Sequence, residues 1–236
     1  MRLQFSQLMN FRSGTIVTDT PSSRWQRKKE ARPSEILDAA LTLFVEKGFR
    51  ATKIEDIAQA AGVTKGTPYL YFQNKEEIFK AVARETIVSR VQAMSAHLEQ
   101  LKDLSSSQLL FLALEDWWTH IGATRAAGLC KLMVAEATNF PELALFYYEE
   151  VIHPARQLLG YIVERGIARG EFRPVHLDYA IDALVAPMLS TMILGHSFAL
   201  VPGCCSSLTQ NPLEFLQTSL SLLLQGMQTA PLDPQS

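Results

Sequence analysis

Residues 52–75 read Thr52-Lys53-Ile54-Glu55-Asp56-Ile57-Ala58-Gln59-Ala60-Ala61-Gly62-Val63-Thr64-Lys65-Gly66-Thr67-Pro68-Tyr69-Leu70-Tyr71-Phe72-Gln73-Asn74-Lys75. The pattern is two short helices, 52–63 and 64–72, joined by a tight turn. Thr52 and Glu55 have the spacing of a capping box, in which the hydroxyl caps an amide and the carboxylate reaches back. Ala58 is small where two helices would cross. Gly62 stands where the turn needs a left-handed residue, and Val63 fills the gap behind it. Asn74 with Glu77 marks the start of the next helix.

Outward from this stretch, periodic apolar stripes predict helices and no alternating pattern predicts a strand. Ile36, Leu37, Ala40, Leu43 and Phe44 form one stripe that stops at Gly48. Ile87, Val91, Met94, Leu98 and Leu101 form a long 4-3-4-3 seam. Further helices are expected over 108–122, 125–138, 142–169, 177–200 and 212–227. Pro154 should kink or split the third of these, and Gly170 should end it. The expected fold is all-α, with a three-helix helix-turn-helix domain followed by a larger helical domain. The expected boundaries are a flexible basic arm at 1–32, the reader at 33–80, the helical body at 81–229 and a disordered tail at 230–236.

The chain has 236 residues, of which 47% are hydrophobic and 19% charged, with a net charge of −2. Such a balance, taken whole, argues against a nucleic-acid binder. Its distribution reverses the argument: residues 1–80 carry 13 Lys/Arg against 9 Asp/Glu, and residues 81–236 carry 9 against 15. A basic reader is joined to an acidic body.

Three cysteines, Cys130, Cys204 and Cys205, fit a reducing compartment and offer no zinc spacing. Five scattered histidines supply no H-x-x-x-H pair, so neither metal nor cofactor is expected. Residues 1–20 lack the apolar core of a signal peptide. The uncharged run Ala183–Val201 is long enough to span a bilayer, but Pro187, Ser190, Thr191 and His196 and the absence of basic flanks favour a core or subunit-interface helix. No G-x-S-x-G, H-E-x-x-H or phosphate-binding loop is present, and the acid pairs Glu115-Asp116 and Glu149-Glu150 read as solvated faces. An enzyme is therefore not expected.

The order Ile36–Phe44, Gly48-Phe49-Arg50-Ala51-Thr52, Ile57–Val63 and Thr64–Phe79 resembles the DNA-binding domain of the tetracycline-repressor (TetR/AcrR) family, nearly continuously over about 33–79. Glu136-Ala137 with Phe140-Pro141-Glu142-Leu143 is similar to the AefR-like C-terminal group. The resemblance implies a bacterial, cytoplasmic, nucleoid-associated homodimer that reads palindromic double-stranded operator DNA through a major-groove helix. It also implies release of that DNA by a small lipophilic effector. A repressor is the usual case; an activator of the same fold and an all-α carrier or interaction protein are the alternatives.

Residue chemistry agrees with the DNA-binding half. Thr64, Lys65, Gly66 and Thr67 place small polar and basic groups at a helix start, where free amides suit phosphates and base edges. Tyr69 and Tyr71 offer hydroxyls to phosphate or a flat face to thymine methyls. Thr52 and Lys53 can serve at the preceding helix, and the resemblance gives Lys75 a phosphate contact. Where many members carry a large apolar residue this chain has Pro68, which predicts Thr67 at N-cap, Pro68 at N1 and a late start of regular helix.

Candidate pocket residues are Phe111, Leu114, Trp117, Trp118, Met133, Phe140, Tyr147, Tyr161, Met188 and Met192. His120, Arg125, Asn139 and His153 are polar candidates beside them. The candidate dimer interface comprises Leu184, Leu189, Ile193, Leu216, Leu220 and Leu223, as an isologous four-helix contact. Leu216, Leu220 and Leu223 serve equally well as intrachain core.

Overall fold

The computed structural model describes residues 21–198, 201, 208 and 210–228. Residues 1–20, Cys204, Cys205 and the tail 230–236 lie outside the described residues. The fold is all-α, and among the described residues the one β pairing is an isolated bridge between Phe172 and Gln228.

Helix α1 spans Pro21–Lys47. The expected flexible arm is therefore replaced over 21–32 by helix, which runs on through Pro33. Pro21 suits a first turn, and the Gln, Arg, Lys, Glu and Ala that follow are good helix formers. Gly48 ends the helix with φ +83°. Helix α2 covers Ile54–Ala60. Its end is a Schellman turn: Gly62 sits at φ +67°, the Gly62 amide donates to Gln59 and the Val63 amide to Ala58. A single 3-10 turn, Pro68–Leu70, takes the place expected for the helix 64–72.

Helix α3, Lys75–Ala83, is capped by Asn74, whose Oδ1 accepts from the Glu77 amide at 2.8 Å. A π turn at Arg84–Val88 leads into α4, Ser89–His97, and a 3-10 turn to Leu101. The predicted 4-3-4-3 seam lies along this one interrupted rod.

Helix α5, Ser106–Trp117, starts with a capping box between Ser105 and Gln108 and runs into a second π turn, Trp118–Gly122. Helices α6 (Ala127–Glu136) and α7 (Pro141–Tyr147) follow. A third π turn, Tyr148–Ile152, precedes α8, His153–Ala168, with Pro154 in its first turn. This is the predicted split: proline has no N–H for the carbonyl four residues back, so the ladder widens just before it. Gly170, at φ +70°, closes α8 with a second Schellman turn. Helices α9 (Leu177–Phe198) and α10 (Pro212–Met227) complete the body.

Two cores form, and their division does not follow the charge boundary at Lys80. The first joins Ile36, Phe44, Phe49, Ile57, Ile78 and Phe79 of the basic half to Leu129, Met133, Phe146, Tyr147 and Val151. The second gathers Leu109, Leu114, Ile162, Phe172, Leu184, Leu216 and Leu220. Helices α6 and α7 thus add their buried side chains to the reader's core, α6 lying also along α9, while α5, α8, α9 and α10 form the second core.

Polar ties follow the same seam. Arg125 bonds both Asp38, at 2.6 Å, and Thr42 of α1. Arg84 grips Glu150 with two hydrogen bonds, which holds that carboxyl below the usual carboxylate range. Glu150 is thus partnered and not merely part of a solvated face.

The closing turn of α8 has little room to spare. A Cβ on Gly166 would lie 2.2 Å from Phe172 Cδ2, and Phe172 is 1% exposed. Gly166→Ala should therefore lower unfolding stability by about 1–3 kcal/mol through overpacking. Urea denaturation checks this, with an unchanged midpoint contradicting it.

Candidate nucleic-acid interface and effector cavity

The loop 49–53 leads into α2 and the turn 64–70 follows it, so the two segments flank that helix. Thr52 is buried there, and its hydroxyl serves the carbonyls of Gly48, at 2.8 Å, and Leu43, at 3.2 Å. The expected capping box at α2 therefore does not form. The Thr52 hydroxyl is instead taken by carbonyls at the end of α1, and Lys53 takes the N-cap position with no side-chain cap. The Thr52 side chain is accordingly withdrawn from the candidate contacts.

Lys75 is also turned inward. Its Nζ donates to the carbonyls of Phe49 at 2.7 Å, Thr52 at 2.9 Å and Arg50 at 3.4 Å. It also lies 4.5 Å from the centre of the Phe49 ring. Burial pulls its pKa below the ordinary lysine value, against the raising influence of Glu76 and Glu136. The expected phosphate lysine is a clamp on the loop between α1 and α2, because three carbonyls there have no other donor close at hand.

The late start predicted from Pro68 is observed in position: Thr67 is at N-cap and Pro68 at N1. The Thr67 side chain caps no amide. It is 6% exposed, and its Oγ1 lies 2.8 Å from Thr64 Oγ1. The turn 64–67 closes with the Thr67 amide on the Thr64 carbonyl at 2.9 Å. Thr67 therefore shapes the turn from inside. Tyr71 is half-buried against the first core.

The groups left facing outward are Lys53, Thr64, Lys65, Gly66 and Tyr69. Leu70 joins them at 79% exposure. It was missed because an apolar residue in an apolar-periodic stretch reads as core; the displaced register behind Pro68 is what turns it out. A Cβ on Gly66 would meet nothing within 4 Å, so that backbone is open to close approach.

A second feature lies in the body. A half-open cavity of about 90 Å³ is lined by α4, α5, α8, α9 and α10. Of the predicted pocket residues, Leu114, Trp117 and Met188 line it. Phe111 and Trp118 pack against the second core instead. Met133, Phe140 and Tyr147 belong to the first core, with the Tyr147 hydroxyl 2.8 Å from Cys130 Sγ. Met192 is buried away from the cavity and Tyr161 faces outward. Bulk alone marked these residues, and bulk does not distinguish core from lining. His120, Arg125 and Asn139 are each engaged locally, with Asp116, Asp38 and Glu136.

The predicted interface divides too. Leu184, Leu216, Leu220 and Leu223 line the cavity, and the first three are buried in the second core. Leu189 is exposed and Ile193 half-buried on α9. The 3-4 spacing fixed one face of α10 but not which partner that face meets.

The sequence was compared with known proteins. A family model described as bacterial regulatory proteins, tetR family, matches residues 36–82. A second, described as a tetracyclin repressor-like C-terminal domain, matches residues 110–203. The HTH-type transcriptional repressor KstR2 of Mycolicibacterium smegmatis is 29% identical over 165 residues, covering 67% of this chain and 74% of its own. The uncharacterized HTH-type transcriptional regulator YhgD of Bacillus subtilis is 30% identical over 149 residues, covering 61% and 73%. Among solved structures, the fatty acid degradation regulator FadR of Bacillus halodurans superposes with a TM-score of 0.66 at 24% identity, over 82% of this chain and 98% of that one. This last likeness is one of fold.

The lysine geometry separates two roles. Lys75→Met should lower stability by about 1–2 kcal/mol, through loss of charged hydrogen bonds to partly buried carbonyls. Lys53→Ala should leave the thermal midpoint unmoved. A Lys75→Met protein as stable as the wild type in thermal denaturation contradicts the clamp.

Proposed function

This chain belongs to the TetR family of bacterial regulatory proteins, and on that premise we propose that it is a homodimeric repressor that leaves its operator when an effector fills the body cavity. It is a transcriptional regulator of all-α fold. The sign of regulation follows the relatives named as repressors. The cytoplasm, at the nucleoid, is the proposed location.

The observation that carries the DNA half is the exposure of Lys53, just before α2, and of Thr64, Lys65, Gly66, Tyr69 and Leu70, just after it, within the basic half. Lys53 and Lys65 serve phosphates. Tyr69 and Leu70 serve base edges and thymine methyls, and Gly66 admits the phosphate backbone closely. Two such sets, one per subunit, read two half-sites about one helical turn apart or somewhat more.

The dimer half rests on what α9 and α10 leave uncovered. Helix α9 has a mean hydropathy of 1.5 over an 18-residue window, yet only 22% of that window is buried within the chain. Ala183, Ala186 and Leu189 are exposed on it, and Leu222 on α10 is 64% exposed. The small residues allow close helix approach, and a second copy supplies the missing cover. Asp178 and Asp182, both paired with Arg156, together with Pro187 in mid-helix, disfavour a lipid environment for the same helix.

The coupling runs through α5. Trp117 packs against both cores and lines the cavity, and Ile121 belongs to the first core and also lines it. A ligand that displaces either side chain therefore presses on the core shared with the reader. The π turn at Arg84–Val88 packs against the other two π turns at this level, where helices have room to change register.

Three outcomes test the reading. Genome-wide selection of bound DNA should return a palindromic operator whose affinity falls steeply with salt, and Lys65→Ala or Tyr69→Ala should weaken it about tenfold. Salt-independent binding, or unchanged affinity in both variants, contradicts the interface. Leu222→Glu should yield a folded monomer by analytical ultracentrifugation and lose operator binding. Gly122→Ala places a Cβ 2.6 Å from Trp118 Cε3 and 2.8 Å from Trp117 Cζ3. It should mimic a filled cavity and weaken operator affinity about five- to tenfold with the DNA-facing surface untouched. Wild-type affinity in that variant contradicts the coupling route.

A further inference from the structure

The cavity is apolar along its whole depth, with two charged side chains in its lining, Arg90 and Asp116. These two differ in what already holds them. Asp116 lies at the wall with His120 Nδ1 3.1 Å from its Oδ1 and 2.9 Å from its carbonyl oxygen, so its carboxylate has an ion-pair partner whenever the imidazole is protonated. Arg90 is exposed at the edge of the lining on α4. Among the described residues its guanidinium has no carboxylate within salt-bridge distance and no hydrogen-bond partner. The neighbouring arginine of the same rod, Arg84, is by contrast taken up by Glu150.

The chemistry of the two regions is complementary to one kind of molecule. Val91, Met94, Leu114, Leu158, Leu159 and Met188 offer a hydrocarbon surface and no hydrogen-bonding side chain to a ligand. A polar molecule entering there would lose water contacts without replacement. An alkyl chain loses nothing and leaves water. Arg90 is both part of this lining and exposed, as suits a side chain whose methylene stem covers apolar surface while its planar, permanently charged fork stays in water. A headgroup there meets up to five unsatisfied N–H donors beside a low-dielectric opening. That arrangement favours two parallel hydrogen bonds to a carboxylate or phosphate.

We propose that the cavity takes a single-chain amphiphile with an anionic head, its alkyl chain between α4, α5, α8 and α9 and its carboxylate or phosphate on the Arg90 guanidinium. This rests on the reading of the cavity as the effector site. It goes beyond that reading in naming the charge of the head, the group that binds it and the end of the cavity where it sits. A cationic amphiphile on Asp116 is the opposite assignment.

The test uses the full-length purified protein and four probes of equal chain length, short enough for a cavity of about 90 Å³: butanoate, butyl phosphate, butanol and butyltrimethylammonium. Affinities come from isothermal titration below the aggregation concentration of each probe, with tryptophan fluorescence as a second readout because Trp117 lines the cavity. Butanoate or butyl phosphate should bind at least about tenfold more tightly than butanol, and butyltrimethylammonium should bind most weakly. Whichever anion binds more tightly identifies the head as carboxylate or phosphate. Arg90→Gln should cut the ratio of anion to alcohol affinity about tenfold, and Arg90→Glu should reverse the preference towards the cation. A wild-type protein that prefers the cation overturns the proposal, as does an anion-to-alcohol ratio that Arg90→Gln leaves unmoved. Operator release is measured separately. An anion that binds through Arg90 yet leaves the operator complex intact overturns the effector reading and upholds the ligand class. Failure of both anions to bind overturns the ligand class alone, because operator binding is scored without any probe.

Discussion

The aromatic cluster of Phe44, Phe49, Phe79 and Phe140 is the contact on which the arrangement depends. Phe49 lies 5.5 Å from Phe44, 5.7 Å from Phe79 and 4.9 Å from Phe140, mostly edge to face. Three of these rings come from the basic half and the fourth from the turn before α7. The cluster thus sets α6 and α7 upon the reader. Phe49 also carries the cation of Lys75 on its face, and that lysine fixes the loop from which Lys53 projects. Core packing and the placement of outward-facing groups are one construction.

The second core meets the first along α5. Gly128 shows how closely the neighbouring seam is fitted: a Cβ there would sit 2.6 Å from Val45 Cγ1. With Arg125 on Asp38 and Thr42, and Arg84 on Glu150, the reader has little freedom to rotate independently of α6 and α7. In the proposed mechanism, movement that begins at the cavity reaches the reader as a displacement of packed helices, for which dense interiors offer discrete alternatives and not a continuum.

Much of this was legible in the residues. Gly48, Gly62 and Gly170 ended helices where the periodicity stopped, because each end needed a positive φ that glycine adopts without strain. Asn74 capped the helix after it, Pro154 split the one around it and Pro68 delayed the recognition turn, each for a reason local to the backbone. The readings that failed were those that tertiary competition decides. Thr52 had a partner in its own sequence window and found a better one at the end of α1. Lys75 had the position of a phosphate ligand and met three carbonyls first. Leu70 had the chemistry of a core residue and was turned out by the register behind Pro68. Phe140 and Tyr147 had the size of pocket residues and were claimed by the first core. In α9 the sequence spoke of apolar surroundings without saying whose; the face left open within one chain is what separates self-packing from cover by a neighbour.

The shared first core also bears on modularity. A segment ending near Lys80 looks separable on the basis of charge and motif, yet its apolar underside is closed by Leu129, Met133 and Phe140. Severed there, it would bare an aromatic floor to water, and a reading head transplanted onto a foreign body would need that floor rebuilt. Inheritance of new operators by exchange of such segments is therefore confined to donors whose α6 and α7 counterparts fit the same rings, whereas substitution at the outward positions of the turn changes what is read and leaves the joint intact.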